Sequence, residues 1–107
     1  MIAQTKAKQL NIEIKTFILN VIAIRKGLMR RERSYKNSSK IHKAIDFLER
    51  HIHGNNYNEK QISVFFYNNR AKILLLIPGL NSKSHNALLG RYNELLAKSV
   101  KKLNEKL

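Results

Sequence analysis

Between residues 3 and 28, apolar side chains return every three or four positions: Ala7, Leu10, Ile14, Phe17, Val21, Ile24 and Leu28. That spacing lines one side of a 3.6-residue helix and dictates an amphipathic first element that needs partners to cover it. No Pro or Gly interrupts it before Gly27, and a lone Gly costs only about 1 kcal/mol in a helix. The helix is therefore expected to run on into the Arg-rich segment and to stop before "NSS" at 37–39.

The same period recurs downstream. Ser39 suits the N-cap of a second helix, with Ile41, Ala44, Ile45, Leu48 and Ile52 as its inner stripe. "HGNNYN" at 53–58 closes it, Gly54 suiting a left-handed C-terminal position and the Asn residues suiting turns. "NEKQ" at 58–61 reads as a capping box, with Asn58 at the cap and Gln61 three residues on. Behind it Ile62, Phe65, Phe66, Asn69, Ile73, Leu76 and Ile77 keep helical spacing. Two β-rich runs around Asn68-Asn69 also allow a hairpin at 62–77. The helical reading is preferred because the cap is explicit, with a break expected near "NNR". Pro78-Gly79 ends the element either way. A last helix begins at "NSKS", 81–84, lined by Leu88, Tyr92, Leu95, Leu96, Ser99, Leu103 and Leu107. The fold class expected is all-α, a compact antiparallel bundle of four or five helices forming a single helical domain over 1–107.

Charge sets the function classes. With 21 Lys+Arg against 7 Asp+Glu the formal net charge is +14, which makes attraction to polyanions almost unavoidable. With no Cys, disulfides, thiolate metal sites and cysteine nucleophiles are excluded. The longest apolar runs, "VIAI" and "ILLLIPGL", fall far short of a bilayer span, and Glu13 and Lys15 interrupt any signal-peptide core. A reduced, cytoplasmic protein without a membrane role is expected, and bacterial or phage origin suits a small basic accessory protein.

The densest basic run is "RKGLMRRERSYKNSSKIHK" at 25–43. At 100° per residue Lys26, Arg30 and Arg33 fall opposite the apolar stripe, while Arg25 and Arg31 flank its edge and are expected to snorkel. Lys36, Lys40, Lys43 and Arg50 continue at helical spacing beyond the break, and Tyr35 offers a ring for stacking on an unpaired base. If the two helices fold back on each other, these charges converge on one corner suited to phosphates. The plain alternative is a solvated face. A second patch is read from Lys83, Arg91, Lys98, Lys101 and Lys102.

A helix-turn-helix-like reading of 71–98 would direct Ser84, His85, Asn86 and Arg91 to a groove. The four histidines read as surface or cap residues: His51 and His53 stand two apart, and no metal or cofactor is expected. His42 or His51 near Arg33 or Arg50 leaves a metal-independent ribonuclease as a minor alternative. Phe65, Tyr67, Leu74 and Leu75 exceed one narrow stripe, so a self-association surface, and with it a homo-oligomer, is a further expectation. The leading reading is a non-enzymatic nucleic-acid-binding accessory protein, gripping RNA or DNA and working beside a larger nucleic-acid-processing protein. The competing one is a helical protein-binding module (an inhibitor, immunity protein or complex subunit) docking an acidic partner.

Overall fold

The computed structural model describes residues 2–31, 39–77 and 82–105, with side chains from residue 9 onward except those of 31 and 82. Among them the chain forms five helices and no strand: α1 (Ile2–Arg31), α2 (Ser39–Gly54), α3 (Glu59–Asn68), α4 (Arg70–Leu75) and α5 (Ser82–Asn104). The hairpin alternative for 62–77 does not form. In its place α3 and α4 make one helical arm interrupted at Asn69.

That interruption has a local cause. Asn69 is buried, and its Nδ2 donates to the Phe65 carbonyl at 2.8 Å while its backbone N–H donates to the same oxygen at 3.1 Å. Competition between side chain and backbone for one helical carbonyl bends the chain. At the other end of the arm the capping box forms. Asn58 Oδ1 accepts from the Gln61 N–H at 2.8 Å, and Gln61 Oε1 accepts from the Asn58 N–H at 2.9 Å. Such a cap contributes about 1 kcal/mol. Gly54 ends α2 without adopting a left-handed φ, contrary to the expectation from its type. Asn55 Nδ2 closes the helix instead by donating to the His51 carbonyl at 3.1 Å.

Contacts along the helices give their directions. Lys26 meets Glu49, and Arg30 shares a cleft with His42, so α2 runs back along α1. Asn11 donates to the Tyr57 carbonyl, and Phe17 packs edge-on to Phe66, so α3 runs with α1. Glu59 meets Lys102 and Phe66 meets Tyr92, so α5 runs against α3. The result is an up-down-up-down bundle with α3–α4 as its bent third arm. At 1.5 Å per residue α1 is about 45 Å long, close to the longest dimension of the molecule, 48 Å. All five helices contribute to one hydrophobic core, centred on Ile14, Ile18, Leu48, Ile62, Phe66, Leu76 and Leu95.

Tertiary partners sort the helices. α1, α3 and α5 pack against one another, while α2 packs on α1 and α4. α4 packs chiefly on α2; the helix-turn-helix-like reading of 71–98 would join it to α5 through a turn. Residues 78–81, its turn, lie outside the described residues. No helix among the described residues is long and apolar enough to cross a membrane.

Candidate nucleic-acid interface

The last turns of α1 depart from the sequence stripe, and this departure decides which cations reach solvent. Ile18, Ile22, Arg25 and Met29 are buried, whereas Ile24 and Leu28 are only partly so. The inward face has rotated by one residue. Arg25, expected to snorkel toward phosphates, is 0% exposed, and its Nε donates to the Leu76 carbonyl at 2.7 Å. It sets a positive charge against the C-terminal end of α4, where the helix dipole is negative and carbonyls lack helical donors. Arg25 is thus a structural tie between α1 and α4 and leaves the candidate interface.

The same rotation brings Lys26 and Arg30 to the flank of the buried face, where both remain exposed. They stand on α1 beside α2, which buries Ile41, Ala44, Ile45, Leu48 and Ile52 as its spacing requires. Lys40, Lys43 and Arg50 point outward from it. Lys26 and Arg30 lie on the α1 side of α2, whereas Lys40 and Lys43 lie on its α4 side, so the four cations flank α2 and do not share one cleft. The side chain of Arg31 and the residues Arg33, Tyr35 and Lys36 lie outside the described residues.

α2 forms a ridge between two clefts. On the α1 side a cleft of about 430 Å³ is lined by Lys26, Met29, Arg30, His42, Ile45 and Asp46. Lys26 Nζ lies 2.7 Å from Glu49 Oε2 at its edge, so part of its charge is answered within the protein. On the α4 side a cleft of about 500 Å³ has a floor of Ala44, Phe47, Ala71 and Leu75 and a rim of Lys40, Lys43 and Lys72. Lys72 Nζ sits 4.7 Å from the centroid of the Phe47 ring, a cation–π distance. No acid lines this second cleft among the described residues.

Asp46 and Glu49 stand on α2 beside the first cleft, and the other described acids, Glu13, Glu59, Glu94 and Glu105, pair with cations of α5. Glu13 on α1 accepts from Arg91 Nη2 at 2.8 Å and from Lys98 Nζ at 3.1 Å. Arg91 also pairs with Glu94. Lys102 Nζ bridges Glu59 at 2.6 Å and Glu105 at 2.9 Å. Burial works to raise the Glu13 carboxyl, but the hydrogen bonds and charges of Lys98 and Arg91 outweigh it and hold the group below its ordinary value. Lys102 is raised above the ordinary lysine range, chiefly by its hydrogen bond to Glu59. Of the second basic patch, Arg91, Lys98 and Lys102 are accordingly engaged in pinning α5 to α1 and α3. Lys83 and Lys101 stand exposed and make no ion pair among the described residues.

The histidines serve packing in part. His51 stacks on Phe47 with ring centroids 4.1 Å apart, and its Nδ1 lies 2.9 Å from the Phe47 carbonyl. Phe65 and Tyr57 extend that aromatic cluster. Among the described residues no three His, Asp or Glu converge in a way that could hold a metal ion. His42 and Asp46, one turn apart, do share the α1-side cleft with Arg30.

Sequence reasoning missed Lys72 and the apolar floor beside it. Nothing local distinguishes Lys72 from any other exposed lysine. Its place follows from α4 packing on α2, which depends on a bend whose direction no local pattern of residues reveals. Compared with protein-family models, with curated proteins and with solved structures, the chain matches none.

Proposed function

We propose that this chain is a nucleic-acid-binding accessory domain that acts without catalysis, holding phosphates through the ridge of α2 and the clefts beside it. The observation that carries the reading is the unequal distribution of counter-charge. Carboxylates take up Arg91, Lys98 and Lys102 around α5, whereas Arg30, Lys40, Lys43, Arg50 and Lys72 carry no ion pair among the described residues. Such a cluster attracts a polyanion by charge and by release of its condensed counterions, and arginine adds two-pronged phosphate geometry. A larger nucleic-acid-processing protein is the natural setting for a domain of this size, with RNA and DNA both chemically suited.

The test is a salt titration of binding to labelled RNA and DNA. Five phosphate contacts predict a slope of log affinity against log salt of about −4.5 on duplex DNA and about −3.5 on a single strand, with tight binding at about 50 mM salt. Absence of binding at that salt would overturn the proposal. A second reading then moves forward, a protein-binding module for an acidic partner. It draws on Val64 of α3, 38% exposed beside Lys60 in a shallow groove, and on Tyr67 of the same helix, 39% exposed.

A further inference from the structure

The cleft between α2 and α4 is more than a set of charges. Its floor is apolar and partly aromatic, its rim carries three lysines, and two of its floor residues are alanines that let a flat group approach the backbone closely. A duplex could use only the rim, because its base faces are already stacked on one another. An unpaired nucleotide could use both: the base is flat and apolar on its faces, and it is tethered to phosphates on either side. Lys40 and Lys43, three residues apart on α2, stand as neighbours along one edge of the cleft. On the other edge the Phe47 ring is covered by the flexible Lys72 side chain, whose ammonium can move to a phosphate when a base takes its place.

The cleft volume of about 500 Å³ lies in the range of small-ligand sites.

We infer that the α2–α4 cleft receives an unpaired base of a single-stranded nucleic acid, seated on Phe47 between Ala44 and Ala71, with the flanking phosphates on Lys40 and Lys43. The inference rests on the nucleic-acid reading and adds a substrate class to it. Among the described residues the cleft wall offers lysines and an aromatic floor, the combination by which single strands are held through phosphates and base faces.

The experiment compares fluorescence anisotropy of one labelled single-stranded oligonucleotide with that of its duplex, at equal salt, for the wild-type chain and for Ala71→Leu. Ala71 is exposed on a helix, so leucine preserves charge and helical preference while filling the floor. The expected result is tighter binding of the single strand than of the duplex by about tenfold, lost in Ala71→Leu through weaker single-strand binding, with duplex binding and helix content unchanged. Equal wild-type affinity for the two forms, or single-strand binding untouched by Ala71→Leu, would overturn the inference while leaving the phosphate grip standing. If neither oligonucleotide binds at low salt, both proposals fall together.

Discussion

Arg25 carries the largest single obligation in the molecule, a guanidinium fully enclosed and donating to the carbonyl of Leu76 fifty-one residues away. Truncation to alanine removes a large buried side chain and leaves that carbonyl without this donor. Arg25→Ala is expected to destabilise the fold by about 2–4 kcal/mol, measured as a lower denaturation midpoint in urea. Arg25→Met keeps most of the volume and should cost less. Because Arg25 does not reach solvent, Arg25→Met should leave the salt slope of nucleic-acid binding unchanged. A stability loss under about 0.5 kcal/mol in Arg25→Ala, the range of ordinary surface changes, would show that the tie is not holding α4. Its residue type gave the wrong expectation for a physical reason. An arginine at the edge of an apolar stripe can snorkel or turn inward, and the choice depends on whether a bare carbonyl waits inside. Here the waiting carbonyl belongs to the end of α4. The cap at Asn58 and Gln61 was legible for the opposite reason, since both partners lie within four residues and need no tertiary knowledge.

Among the helices, periodicity foretold α2 and α5 well, because each buries one face against a continuous core: Leu88, Tyr92, Leu95 and Ser99 point inward as their spacing requires. On α1 the inner face drifts by one residue toward Ile18, Ile22, Arg25 and Met29. Its apolar arc is broad enough to admit either face, and the neighbours select one. The bent arm of α3 and α4 was legible in its cap and its break, but not in the direction that brings Lys72 over Phe47. Charge fixes α5 in place. Glu13 gathers Arg91 and Lys98, and its carboxyl is held below its ordinary value of 4.5. A group depressed in the folded state contributes stability above its unfolded pKa, and that contribution is lost as pH falls through the folded value. Glu13→Gln should therefore cost up to about 1 kcal/mol at pH 7. The gap between variant and wild type should close progressively below about pH 4.5, followed by chemical denaturation across pH 3–7. A gap that persists at pH 3 would assign the Glu13 effect to packing instead of charge.

For the whole molecule the decisive quantity is where the net +14 resides. Composition reports the total but not its distribution, because ion pairs between α1, α3 and α5 join residues as far apart as Glu13 and Lys98. A uniformly basic protein would attract polyanions equally on every face. The arrangement of this bundle predicts instead that one side, the α2 ridge, dominates. Two double charge reversals of equal formal change separate these cases: Arg30→Glu with Lys43→Glu on the α1–α2 side, and Lys83→Glu with Lys101→Glu on α5. All four side chains are exposed. Binding of each to labelled nucleic acid at one low salt concentration is the measurement. The account predicts that the first pair abolishes retention with helix content intact, while the second weakens it only slightly. Equal losses from both pairs would contradict a localised grip.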